Sequence, residues 1–139
     1  MPAERIQRET PSKAPVFNKE SETVTWEGRE YPFITFCSIH MAVKELLEFR
    51  EIYSRREGGE NKPHIFQFLI TKSLELTRHL SGISTDAWSE AFHANLALQK
   101  YLWEEDEQSG LEAKERLFRV RKILSLDELF RKRNFESGV

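Results

Sequence analysis

One cysteine, Cys37, stands in 139 residues, so no disulfide can form within the chain and nothing points to a disulfide-stapled secreted fold. Long hydrophobic runs are missing as well. The longest stretch free of Asp, Glu, Lys and Arg is Tyr31–Val43, 13 residues; a membrane helix needs about 20. The opening residues, Met1-Pro2-Ala3-Glu4-Arg5, carry none of the apolar core a signal peptide requires. Together these absences predict a cytoplasmic protein with no membrane contact. Charge of one sign is lacking too: 21 Lys and Arg stand against 23 Asp and Glu, a net charge of −2. That removes any whole-molecule electrostatic case for nucleic acid or an anionic surface. Glycine (6) and proline (5) are scarce, which leaves long segments unbroken.

What remains is ionic and aromatic. Charged residues make up 32% of the chain, above the roughly 25% of an average domain. Ten phenylalanines supply large apolar side chains for a core. The length suits one domain. Residues 1–22 are polar and show no periodicity, which predicts an extended N-terminal arm; Val16 and Phe17 are its one sizeable apolar pair. The rest, 23–139, is read as an all-α domain. Over 23–31, β-branched and aromatic residues flank Glu27-Gly28, the signature of a small β-hairpin that must pack on helices.

Four amphipathic segments follow. The first covers about 35–56, with Ile39, Val43, Leu46, Leu47 and Tyr53 on one stripe and Gly58-Gly59 as its stop. The second opens at Pro63, buries Phe66, Leu69, Ile70, Leu74 and Leu80, and closes at Gly82. The third follows the capping run Ser84-Thr85-Asp86 and is apolar on almost every side. The fourth opens at Ser109, where Ser109 and Glu112 fit a capping box, and buries Leu117, Val120 and Leu124. A second box, Ser125 to Glu128, starts a short C-terminal helix over 126–134. Short connections make consecutive helices antiparallel neighbours. The expected fold is therefore an up-down bundle of about four helices plus the terminal helix.

Chemistry is poorly represented. Nucleophile elbows, phosphate loops, dinucleotide fingerprints and zinc-protease motifs do not occur. Glu90 and His93 form a single E-x-x-H, whereas carboxylate-bridged di-iron bundles need two such pairs and two further glutamates. No catalytic residue, metal site or cofactor is assigned. Binding is better represented. Trp88, Tyr101 and Trp103 lie on more than one side of the third helical segment, and a side left open would form a patch for another protein or a second copy. The terminal segment joins an apolar face, Leu126, Leu129 and Phe130, to a basic cluster, Arg131, Lys132 and Arg133. It must dock in cis or in trans, because so short a helix is unstable alone.

From Leu111 onward eight Lys and Arg face five Asp and Glu. Arg116, Arg119 and Lys122 share a helix face that could meet phosphates. The competing reading pairs Glu112 with Arg116 and Glu115 with Arg119 along the helix. Residues 104–107, all acidic, end the third segment where the helix dipole favours cations. The function expected is a non-catalytic protein–protein interaction module, an adaptor, chaperone-like or regulatory subunit. The alternative is a nucleic-acid-associated subunit using the basic face of residues 114–133.

Overall fold

The computed structural model describes residues 14–54 and 62–136. It is a helical bundle carrying a small antiparallel sheet. Strands β1 (Val16–Asn18), β2 (Thr23–Trp26) and β3 (Arg29–Pro32) form a three-stranded meander. The expected hairpin is β2–β3, with Trp26 opposite Arg29. Its two turn residues, Glu27 (φ 50°) and Gly28 (φ 83°), both take positive φ, as a type I′ turn requires. Alternation along β2 turns Val24 and Trp26 into the core.

Strand β1 was not expected, since Val16–Asn18 falls in the segment read as an arm. Val16 pairs with Thr25 and Asn18 with Thr23. The Asn18 side-chain oxygen accepts from the Glu20 and Ser21 N–H groups, at 3.0 and 3.2 Å, and so shapes the connecting turn. Three residues are too few to show a period of two, which is why no strand was visible there. Phe17 then packs its ring 4.7 Å from that of Phe33.

The first helical segment is two helices. Helix α1 runs Phe33–Leu47 and α2 runs Phe49–Ser54. Glu48 leaves helical geometry (φ −96°, ψ 20°), and its N–H bonds the Glu45 carbonyl at 3.1 Å. No glycine or proline marks this break. It sets Phe49, which is fully buried, against Tyr101 with ring centroids 5.1 Å apart. Gly58-Gly59, the expected stop, lies outside the described residues.

Helix α3 spans Lys62–Leu80 with Pro63 in its first turn. Helix α4 spans Thr85–Glu104. Its N-cap is Ser84, whose hydroxyl accepts from the Ala87 N–H at 3.1 Å, as the sequence predicts. It ends at Glu105 in the left-handed region (φ 53°). Helix α5, Glu107–Ile123, begins three residues earlier than the Ser109 capping box implies. Asp106 is the N-cap position and Ser109 is buried, its hydroxyl donating to the Asp106 carboxylate at 2.8 Å. That bond, first among the causes, holds the Asp106 carboxyl below its ordinary range. Ser125 (φ 51°) breaks the chain before α6, Leu126–Glu136.

Helix α4 is central. Asn95, buried in it, donates to Ser73 of α3 at 2.8 Å, and Glu90 accepts from Arg116 of α5 at 3.1 Å. Four small residues, Ala87, Ala91, Ala94 and Ala97, are buried along its packed side and let neighbouring backbones approach. Gly110 of α5 shows how close: a Cβ there would stand 2.8 Å from the Tyr101 ring.

Candidate interaction surface

Helix α4 has two unlike sides. The alanine side is covered by α3 and α5. The other carries Trp88, Phe92, Leu96 and Trp103, whose spacing of four, four and seven keeps them in one stripe. Trp88 is half-buried, while Phe92, Leu96 and Trp103 are 41%, 49% and 70% exposed. The Trp88 and Phe92 rings stack at 5.4 Å, and Trp103 meets Phe66 of α3 edge-on at 4.7 Å. The antiparallel contacts Phe66–Trp103 and Ser73–Asn95 set the register of the two helices. They place Ile70 level with Gln99, and Leu74, 55% exposed, level with Ala94 and Asn95. The result is an apolar strip along the α3–α4 seam with no charged residue within it. Arg78 and Lys100 stand at its margins, and Lys100 is already paired with Asp106 at 3.7 Å.

Large exposed side chains on one face, beyond scattered single residues, mark a contact surface. Leu74 was expected on the buried face of its helix; the structure turns it outward, together with Phe92 and Leu96 of α4. The four alanines were the signal that could have shown it. They mark the covered side of α4, so large residues roughly opposite them must face away.

The other candidate residues are distributed differently. Tyr101 is in the core, not on a patch: its ring packs on Phe49 and lies 5.9 Å from that of Tyr53, with the Arg50 guanidinium 5.3 Å from its centre. Burial pushes its phenol above the ordinary value. Leu126 and Leu129 are fully buried, so the apolar face of α6 is spent on its own bundle. Phe130 is half-buried, stacked on His40 at 4.2 Å and set 5.6 Å from Phe33. Arg131 is exposed. The side chains of Lys132 and Arg133 lie outside the described ones.

The basic face resolves into ion pairs. Arg116 meets Glu90 at 3.1 Å and Glu112 at 3.4 Å; Arg119 meets Glu115 at 3.1 Å and Glu90 at 3.6 Å. Glu90 thus holds two guanidinium groups, and His93 donates from Nδ1 to the Ser89 carbonyl at 2.8 Å. The E-x-x-H pair therefore points at two different partners. Among the described residues no three His, Cys, Asp or Glu side chains gather as a metal site would need. Lys122 is exposed beside Phe118 and Arg131. The acidic run is likewise engaged: Glu107 with Arg50 at 2.7 Å, and Glu105 with the Tyr53 hydroxyl at 3.1 Å. Arg50, which sequence reasoning passed over, thereby ties α2 to α5.

Compared with family models, curated proteins and solved structures, the chain has no match. The surface must therefore be judged on its own chemistry. Among the described residues no helix is long and apolar enough to cross a membrane. A second apolar patch, Ile34, Met41 and Phe68 on α1 and α3, is interrupted by Glu75, His79 and the Lys72–Glu45 pair at 3.2 Å. The α3–α4 strip is the larger uninterrupted one.

The α6 dock carries a pH signature. His40 Nδ1 is buried without a hydrogen-bond partner. Burial lowers the His40 pKa below its ordinary 6.5; Asp127 opposes this, and Lys44 and Arg121 reinforce it. The folded state therefore favours the neutral form of His40. Its contribution is present above about pH 6.5 and is lost as pH falls through the lowered folded value. Urea midpoints at pH 7.5 and 5.5 should show a larger loss on acidification for the wild type than for His40→Phe, which keeps the stack on Phe130. Equal losses would show that His40 does not couple α6 to pH.

Proposed function

We propose that this chain is a non-catalytic protein–protein interaction module, working as an adaptor or regulatory subunit through the α3–α4 strip. The observation that carries it is the stripe of Phe92, Leu96 and Trp103, large side chains left in water beside half-buried Trp88 on the central helix of the bundle. Leaving such groups exposed forgoes about 25 cal/mol per Å² of burial, which a docked partner recovers. Aromatic residues in such a strip are the type that anchors interfaces. A partner helix or bundle face fits an elongated seam of this shape.

A phosphate-directed function draws less support, because Arg116 and Arg119 are already matched by Glu90, Glu112 and Glu115. The terminal helix supports the reading indirectly: Leu126 and Leu129 are buried in their own bundle, whereas the strip on α3 and α4 is exposed and uninterrupted by charge.

The test places a photo-crosslinking phenylalanine analogue at position 92 and, as a control, at exposed position 118 on α5. Irradiation in the native cell should give protein adducts of defined mass from position 92. Adding Leu96→Asp should reduce their yield at least tenfold. Adducts that form equally from position 118, or none from position 92, would overturn the proposal.

A further inference from the structure

Along α4 the strip is nearly symmetric about Leu96. Leu96 stands at its centre, level with Lys72 and Ser73 of α3, and Leu74 lies within half a turn of that level. Toward one end α4 offers Phe92 and then Trp88; toward the other it offers Gln99 and then Trp103. Trp88 and Trp103 stand at nearly equal distances, eight and seven residues, from Leu96. A surface with aromatics at both ends and leucines at its centre is complementary to its own image turned through 180°. We infer that the occupant of this face is a second copy of the chain, related by a two-fold axis that crosses the strip at the level of Leu96. This rests on the binding role proposed above and names its partner.

In that arrangement the two α4 helices run antiparallel. Leu96 meets Leu96 of the mate, Trp88 of each copy lies beside Trp103 of the other, and Phe92 lies beside Gln99. Antiparallel packing also sets opposite ends of the two helix dipoles against each other. The strip itself contains no charge to bury, and Arg78 comes level with the uncharged Gln67 of the mate's α3. By contrast, the patch around Ile34, Met41 and Phe68 would bury the Lys72–Glu45 pair, Glu75 and His79 against their copies. The size is sufficient. With large side chains presenting up to about 150–250 Å² each, the exposed fractions of Leu74, Phe92, Leu96 and Trp103 amount to roughly 450 Å² per copy. Half-buried Trp88 and Ile70 and the polar margin raise the total above the roughly 1,000 Å² that separates a specific contact from an incidental one. A closed two-fold dimer uses the same patch on both subunits and leaves none open for further growth.

The full chain is examined by sedimentation equilibrium up to about 100 µM, and by oxidation of Leu96→Cys and Leu74→Cys placed singly in a Cys37→Ser background. A dimer mass is expected. Each cysteine should give disulfide-linked dimer at least ten times more efficiently than Glu115→Cys on α5, since a bond forms only when the two Cα atoms come within about 7 Å. Leu96→Asp should return the mass to a monomer while circular dichroism stays helical. If Leu96→Asp fails to fold, Leu74→Asp carries the same test. A monomer at 100 µM overturns the inference, and crosslinks from position 92 to a different protein would then leave the proposed function standing. A dimer that survives both Asp variants and crosslinks through Met41→Cys overturns it equally, in favour of the α1–α3 patch.

Discussion

Replacing Phe49 with alanine should lower the unfolding free energy by about 3–5 kcal/mol, the usual cost of deleting a buried aromatic ring. Phe49 has no exposed surface and opens α2 just after the break at Glu48. Its ring meets Tyr101 of α4 edge-on, and Arg50 spans both rings, 5.6 Å from the centre of one and 5.3 Å from the other. Arg50 also reaches Glu107 of α5 at 2.7 Å, and Tyr101 lies against Gly110 of the same helix. The side chain thus sits where α2, α4 and α5 converge, and a cavity there has three backbones to hold it open. Close packing limits how far they can collapse into it. Urea unfolding followed by tryptophan fluorescence measures the loss. Phe92→Ala is the control: with its ring 41% exposed, it should cost under about 1 kcal/mol. Similar losses from the two would mean that the Phe49 corner relaxes freely and does not fix the bundle.

The fold class was legible because helix stops and starts are local chemistry. Ser84 caps α4 with its own hydroxyl, and Glu27-Gly28 adopts the two positive φ angles that its hairpin needs. The misses share a different cause. Glu48 breaks a helix with no glycine or proline because burying Phe49 outweighs the interrupted ladder, a tertiary gain that no local pattern encodes. Ser109 and Glu112 match a capping box, yet Asp106 offers an earlier start and the Ser109 hydroxyl turns back to it. The surface was harder still. A helix apolar on nearly every side does not say which side is covered; that depends on its neighbours. Leu74 looks like core in sequence and is half in water, whereas Tyr101, expected on a patch, is enclosed. Arg116 and Arg119 look like a phosphate face until Glu90, 26 residues from Arg116, is seen between them.

Ending the chain at Leu124 should destabilise the bundle by about 3 kcal/mol or more and lower its melting temperature by roughly 10 °C. The expectation follows from where α6 lies. Leu126 and Leu129 are fully buried and Phe130 covers His40 and Phe33, so removal uncovers both the lost side chains' partners and the edge of the sheet beside them. Each fully buried leucine is worth about 1.5–3 kcal/mol, and the freed segment's regained chain entropy offsets only part of that. Leu129→Asp should reproduce most of the loss in the full-length chain, which separates the packing of α6 from the mere presence of the tail. The two readings of the C-terminus part company here. If α6 belongs to its own bundle, the shortened chain is less stable, yet at temperatures where it stays folded it crosslinks through position 92 as before, because the α3–α4 strip is untouched. If instead the shortened chain melts with the full-length one and loses its crosslinks, the apolar face of α6 is free to serve a partner in trans, and Leu126, Leu129 and Phe130 return as the recognition surface.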